Sequence, residues 1–405
     1  MSETQTGRPA ALAGIRVLDL SRILAGPFCT QILGDLGADI VKVEQPGLGD
    51  GSRAWGPPWA GGEAAYYLSI NRNKRSITLN LKTEAGQNIV RRLAAKSDIL
   101  IENYKFGELK RLGLDYETLA KENPALIYCT ISSYGPTGPY KERPGFDLMI
   151  QAQSGIMSIT GSPENGPTRV GVAVVDVTTG LYAANIIQAA LFARERDPQK
   201  RGQKLEVSLY ECALAWLANL AGNYLASGKT PGLMGNAHPN LAPYQPFETA
   251  DIPLVLAIGT DAQFRKFCGL AGRPELAADP RFAANSGRVV NRDTLIPILQ
   301  EIMLERPAAE WEEALAKLDI PAGTIKTLDK VFADRQTQAL EIVQEIQHPT
   351  AGKIKTVRSP MHLSATPTQI RHAPPLLGQH TGEILQEILG LSEEEIGQLR
   401  EEGTL

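Results

Sequence analysis

The stretch IRVLDLSRILAGPFCTQILGDLGADIVKVE, residues 15–44, decides the fold. Two short apolar runs, IRVLDL (Ile15 to Leu20) and DIVKVE (Asp39 to Glu44), flank a segment that Pro27 opens as a helix, because the fixed φ of proline suits a first helical turn. Strand, helix and strand in so few residues predict a βαβ unit and a parallel sheet. Working outward, SITLNL (Ser76 to Leu81), a helix over Glu84 to Lys96 and DILIEN (Asp98 to Asn103) repeat the pattern. LIYCTI (Leu126 to Ile131) and RVGVAVV (Arg169 to Val175) are apolar along most of their length, which predicts strands covered by helices on both faces. A long helix from Asp176 to about Arg196, a strand at KLEVSLY and a helix from Glu211 to about Ala226 follow.

The run from Ser227 to Pro246 is rich in Gly and Pro, which is linker chemistry. It separates residues 1–226 from a smaller unit over 247–330, with a strand at LVLAIG and helices near Asp261, Arg292 and Ala308, and from a C-terminal part, 331–405. The chain has 405 residues, 43% hydrophobic and 21% charged, the composition of a globular protein rather than a disordered one. With 41 Lys and Arg against 45 Asp and Glu, no global positive field exists to hold nucleic acid. Cys29, Cys129, Cys212 and Cys268 lie far apart without a C-x-x-C pair, as expected of reduced thiols in a cytoplasmic protein. No secretory signal is expected from MSETQTGRPAALAG. No membrane partner is expected either, since no uninterrupted apolar run approaches the ~18 residues of a spanning helix.

The turn after the first strand, SRILAGPFC, has one glycine and cannot approach a pyrophosphate as G-x-G-x-x-G does. Neither a G-x-x-x-x-G-K-[ST] loop nor H-E-x-x-H nor G-x-S-x-G occurs, and the five histidines lack metal spacing. Two features remain open on chemistry alone. The run NRNKRSITLNLK, with Arg72, Lys74, Arg75 and Lys82, and Arg111 beyond it, reads either as a solvated face or as a phosphate site at sheet termini. Asp176, at the start of the long helix, reads either as a cap or as a nucleophile that the helix N-terminus keeps ionised.

Taken together, these segments resemble the class III CoA-transferases, the family of formyl-CoA and carnitine CoA-transferases. The resemblance runs from residues 12–44 through NRNKRSITLNLK, ENYKFGELKRLG, RPGFDLMIQAQSG, VGVAVVDVTTG, GQKLEVSLYE and DPRFAANSGRVVNR to PPLLGQHT. It implies an α/β fold, with a Rossmann-like large domain built from the N- and C-terminal parts, a smaller α+β domain inserted in it, and an interlocked homodimer. It places Asp176 on the catalytic aspartate. Gln45, Leu79, Lys82, Asn103, Tyr104, Arg111 and Arg75 then fall at or beside positions that hold CoA, which is a substrate here rather than a permanently bound cofactor. Leu24, Trp55, Phe146, Asp147, Arg169, Gly235, Asn236 and His238 fall around the acyl group or in a covering loop.

Two departures narrow the substrate. Leu24 and the loop GNAHPN replace a glutamine and a glycine run of oxalate-using members, and Gln45 replaces an arginine, so oxalate exchange is not expected. Arg169 and His238 could each pair with a distal carboxylate or be ordinary surface residues. The expected reaction is CoA transfer from a succinyl-CoA type donor to a small dicarboxylate. The alternatives are a 2-methylacyl-CoA racemase, whose proton-transferring His is replaced by Phe146, and a CoA-binding protein without turnover.

Overall fold

The computed structural model describes residues 8–405. Its centre is a six-stranded sheet formed by β1 (Arg16–Asp19), β2 (Asp39–Glu44), β3 (Lys74–Thr78), β4 (Ile99–Glu102), β5 (Ile127–Ser132) and β6 (Lys204–Ser208). The order is β6-β5-β4-β1-β2-β3, and every pairing is parallel. The helices on it are α1 (Ala25–Asp35), α2 (Glu84–Ala94), α3 (Asp147–Gln153), α4 (Val174–Arg196) and α5 (Leu209–Trp216).

Successive strand side chains point to opposite faces, and the two faces differ. Leu18, Leu20, Val41, Val43 and Ile77 join Ile89, Val90 and Leu93 of α2 in one apolar cluster. The alternate positions Asp19, Lys42 and Lys74 are fully buried on the other face. There Lys42 Nζ donates to Asp50 Oδ2 at 2.8 Å and to the Ser21 carbonyl at 2.9 Å, while Lys74 Nζ donates to the Pro27 carbonyl at 2.8 Å. The β1–α1 turn is thus pinned by side chains, and Ile23 within it holds φ at 73°, a region that β-branched residues rarely enter. Asp50 accepts the Ile23 N–H at 3.1 Å. On the same face α1 packs closely on α4: a Cβ at Gly180 would lie 2.7 Å from the Ala25 carbonyl oxygen.

The chain divides into two compact units. The first runs to Ser154, from Val170 to Gly222 and from Leu340 to the end. Its C-terminal part contributes the antiparallel pair β10 (Val343–His348) and β11 (Gly352–Val357), then α9 (Thr381–Leu389) and α10 (Glu393–Glu401). This part covers the exposed edge at β3: Ile384 and Leu385 enter the α2 cluster, and the Asn80 N–H donates to the Thr404 carbonyl at 2.8 Å. The second unit comprises 155–169 and 223–339. It holds the antiparallel sheet of β7 (Tyr244–Phe247), β8 (Leu254–Ala257) and β9 (Ala322–Thr324), with α6 (Asp261–Leu270), α7 (Arg292–Met303) and α8 (Ala308–Ala316). Residues 155–169, read in the sequence as part of the first domain, belong here because Gly161 accepts a backbone hydrogen bond from Gly235 at 2.8 Å.

Two sequence readings need correction. RVGVAVV is not a strand: β6 takes the place beside β5, Val170 to Ala173 is irregular, and α4 begins at Val174. The helix read over Glu211 to Ala226 is broken at Ala218, whose φ is 43°.

Candidate active site

In the first unit a cleft of about 900 Å³ opens at the C-terminal ends of β4 and β5, the edge where ligands of parallel α/β sheets bind. Asp176 lies at its wall with Leu24, Ala25, Trp55 and Phe146. Gln45, Asn103, Tyr104, Lys105, Lys110, Lys141 and Arg143 line the rest of its length. Cations alternate with rings along it. Arg22 stands 4.2 Å from the Tyr104 ring centre and Lys141 4.9 Å from Phe106, arrangements that favour anionic and planar groups.

Asp176 sits in the first turn of α4 and is half-buried. Burial, then the neighbouring Asp147 carboxylate, push its pKa up to about 7. Removal from water and a like charge thus oppose the ionised form that the helix N-terminus was expected to favour, and near pH 7 both forms are populated. The cap reading fails: Asp147 supplies the cap, its Oδ1 accepting the N–H groups of Val175 at 2.8 Å and Asp176 at 3.3 Å. Tyr66 is held near this centre, packed edge-on against Trp55 with ring centres 5.1 Å apart. Its hydroxyl is pushed up to about 12 by burial and then by the charge of Asp176. Deeper along the cleft, burial pushes Glu102 up to about 7, and its carboxylate accepts the Tyr104 N–H at 2.7 Å.

The expected CoA contacts divide. Gln45, Asn103 and Tyr104 line the cleft, with Asn103 already clamped to the backbone of Arg22 through both ends of its amide, at 2.8 and 2.9 Å. The Leu79 side chain is 1% exposed in the apolar core behind the sheet. Arg75 is a correction, because its guanidinium is committed to Asp39, Glu383 and Glu387 at 2.7 to 2.9 Å. Arg72 is likewise buried against Asp35 at 2.6 Å. The basic cluster at 72–75 is neither a solvated face nor a phosphate site. Lys82 and Arg111 are exposed and, among the described residues, Lys110 rather than Arg111 lines the cleft.

Arg169, Gly235, Asn236 and His238 belong to the second unit. There His238 accepts the Asn240 N–H on Nδ1 at 3.0 Å and packs on Tyr244 with ring centres 5.2 Å apart. Sequence reading missed Tyr66, Glu102 and the cations Lys105, Lys110, Lys141 and Arg143. The last four had a legible signal in the basic and aromatic alternation of YKFGELK and YKER after strand ends. Among the described residues no group of three or more His, Cys, Asp or Glu side chains is arranged to hold a metal ion.

A parallel α/β sheet thus presents Asp176 in a long cleft that Lys105, Lys110, Lys141 and Arg143 also line. A family model described as CoA-transferase family III matches residues 12–381, and the chain belongs to that family. Among particular relatives, it is 43% identical to the succinate--glutarate CoA-transferase of Agrobacterium fabrum over 94% of this chain and 96% of that one. It is 42% identical to the human succinyl-CoA:glutarate CoA-transferase over 99% of this chain and 92% of that one. A crystal structure of a CAIB/BAIF family protein from Brucella suis superimposes with a TM-score of 0.81 at 45% identity, covering 94% of this chain and all of that one.

Proposed function

We propose that this enzyme moves CoA from succinyl-CoA to a five-carbon dicarboxylate such as glutarate, with Asp176 as the nucleophile. The observation that carries the reaction type is the half-buried Asp176 carboxylate in the wall of the cation-lined cleft. The acid class is supported by the names of the two relatives above.

Ionised Asp176 attacks the thioester carbon of the donor, forming an aspartyl–succinyl anhydride and releasing CoA thiolate. The thiolate attacks the aspartyl carbonyl, which frees succinate and leaves an aspartyl–CoA thioester. The acceptor carboxylate opens that thioester to a second anhydride, and the thiolate attacks its acceptor carbonyl, giving the new acyl-CoA and restoring Asp176. Each step exchanges one acyl bond for another, which divides a difficult transfer into tractable ones. The cations Lys105, Lys110, Lys141 and Arg143 serve the phosphates of CoA, while Leu24, Trp55 and Phe146 shield the anhydride from water.

For assembly the proposal is an interlocked homodimer. α4 is long and apolar enough to cross a membrane by length and composition, but Ala183, Ala184 and Ile187 are buried in the first unit. Its outward Leu181 and Phe192 border a groove of about 1090 Å³ with Phe28, Ile32 and Ile354, a face suited to a second copy. The four cysteines are free and buried, which supports a cytoplasmic setting.

The test is a transfer screen crossing succinyl-, acetyl- and formyl-CoA with glutarate, oxalate, monocarboxylates and carnitine. Glutaryl-CoA from succinyl-CoA is the expected fastest product. Preference for a monocarboxylate or a carnitine-like cation, with dicarboxylates inactive, contradicts the substrate class.

A further inference from the structure

Helix α4 starts without a cap of its own. The residue before it is Ala173, which has no side-chain oxygen, and no side-chain cap bond comes from that position. The open N–H groups of its first turn are met from another element, by Asp147 of α3. One helical turn on, the fully buried Gln151 shares the same face. Its Nε2 donates to Asp147 Oδ2 at 2.5 Å, and its Oε1 accepts the Val170 N–H at 2.9 Å. The pair therefore grips both ends of the irregular segment that delivers Asp176, at Val170 and at Val175.

We infer that Asp147, locked by Gln151, is a positioning residue that fixes Asp176 in the cleft and withholds the helix N-terminus from its carboxylate. A free first turn would stabilise the Asp176 charge and blunt it as a nucleophile. With those N–H groups occupied by a second carboxylate, Asp176 stays more basic, and a more basic carboxylate attacks a thioester faster.

Other charges do not account for this. Among the elements packed against α4, α1 brings Cys29, whose thiol burial holds protonated. β6 brings Lys204 and Glu206, paired at 2.9 Å, and α5 brings Glu211, bonded to Ser208. Tyr66 stays neutral through the working range.

The inference rests on the reading of Asp176 as the nucleophile, and the experiment separates the two. Single-turnover formation of the enzyme–CoA adduct from succinyl-CoA is followed from pH 5 to 9 in the full chain and in Asp147→Asn and Asp147→Ser, both of which keep an oxygen to accept the Val175 N–H. The parent enzyme should show an acid limb near 7, the value burial and Asp147 impose on Asp176. In both variants the limb should move to lower pH by about one unit or more. The plateau kcat should drop while KM for succinyl-CoA stays within about twofold. Where one variant does not fold, the other carries the test. An unmoved limb in a folded variant overturns the role of Asp147 and leaves the nucleophile reading intact. A fully active Asp176→Ala enzyme overturns both.

Discussion

Two basic regions of this chain have similar composition and opposite fates. Arg72, Lys74 and Arg75 stand at the start of β3, while Lys105, Lys110, Lys141 and Arg143 follow the C-terminal ends of β4 and β5. The first group is buried against carboxylates and carbonyls of its own chain. The second lines the cleft. The difference teaches that strand polarity, rather than charge density, assigns a cation its work: parallel sheets open toward ligands at their C-terminal edge, and a cation at the other edge needs an internal partner.

The comparison breaks first at Arg72, whose side chain and that of Asp35 are 6% and 3% exposed. Arg72→Ala leaves the Asp35 carboxylate buried without that guanidinium, which should cost about 3–5 kcal/mol of stability. Denaturant titration reads this, and the folded fraction should keep its KM for acyl-CoA. A change in KM without loss of stability would put Arg72 back in the ligand site.

Asp176 supplies the opposite case, a carboxylate whose nearest charged neighbour is another carboxylate. Its pKa is about 7 in the folded protein against an ordinary value near 3.9, so the folded state binds the extra proton between those limits. Stability from this group therefore falls as pH rises from about 4 to 7 and stays low above that. Asp176→Asn should raise stability at pH 8 by on the order of 1–2 kcal/mol and by much less at pH 5. Equal gains at both values, measured by thermal melts, would refute the raised pKa.

The smallest effects belong to the cleft cations. Lys110→Ala or Arg143→Ala should raise KM for acyl-CoA by roughly three- to tenfold with stability changed by less than about 1 kcal/mol. A lowered ionic-strength dependence of KM should accompany each. Unchanged KM in both variants would leave the cleft without its proposed phosphate contacts.

Much of the first unit was legible because apolar runs and turn residues are local signals. The runs at Ile15, Asp39, Asp98 and Leu126 each became a sheet strand, and the position of Asp176 at the head of a long helix was readable. RVGVAVV failed because apolarity alone does not distinguish a strand from an irregular segment tied by side chains, here those of Asp147 and Gln151, nineteen or more residues away. The raised pKa of Asp176 was not readable for the same reason: burial and then the like charge of Asp147 on α3 are made only by the fold. Tyr66 and Glu102 carried no readable signal of a role in the cleft, since both owe their properties to burial. Arg75 misled because the acidic partners Glu383 and Glu387 lie some three hundred residues downstream.

The central claim is that Asp176 carries CoA covalently. The direct measurement is peptide mass spectrometry of the enzyme quenched after incubation with succinyl-CoA, with hydroxylamine trapping in parallel. CoA, or a hydroxamate after trapping, should be found on the Asp176 peptide and be absent from Asp176→Ala. Full turnover by Asp176→Ala, or a chain free of adduct while transfer proceeds, would contradict it.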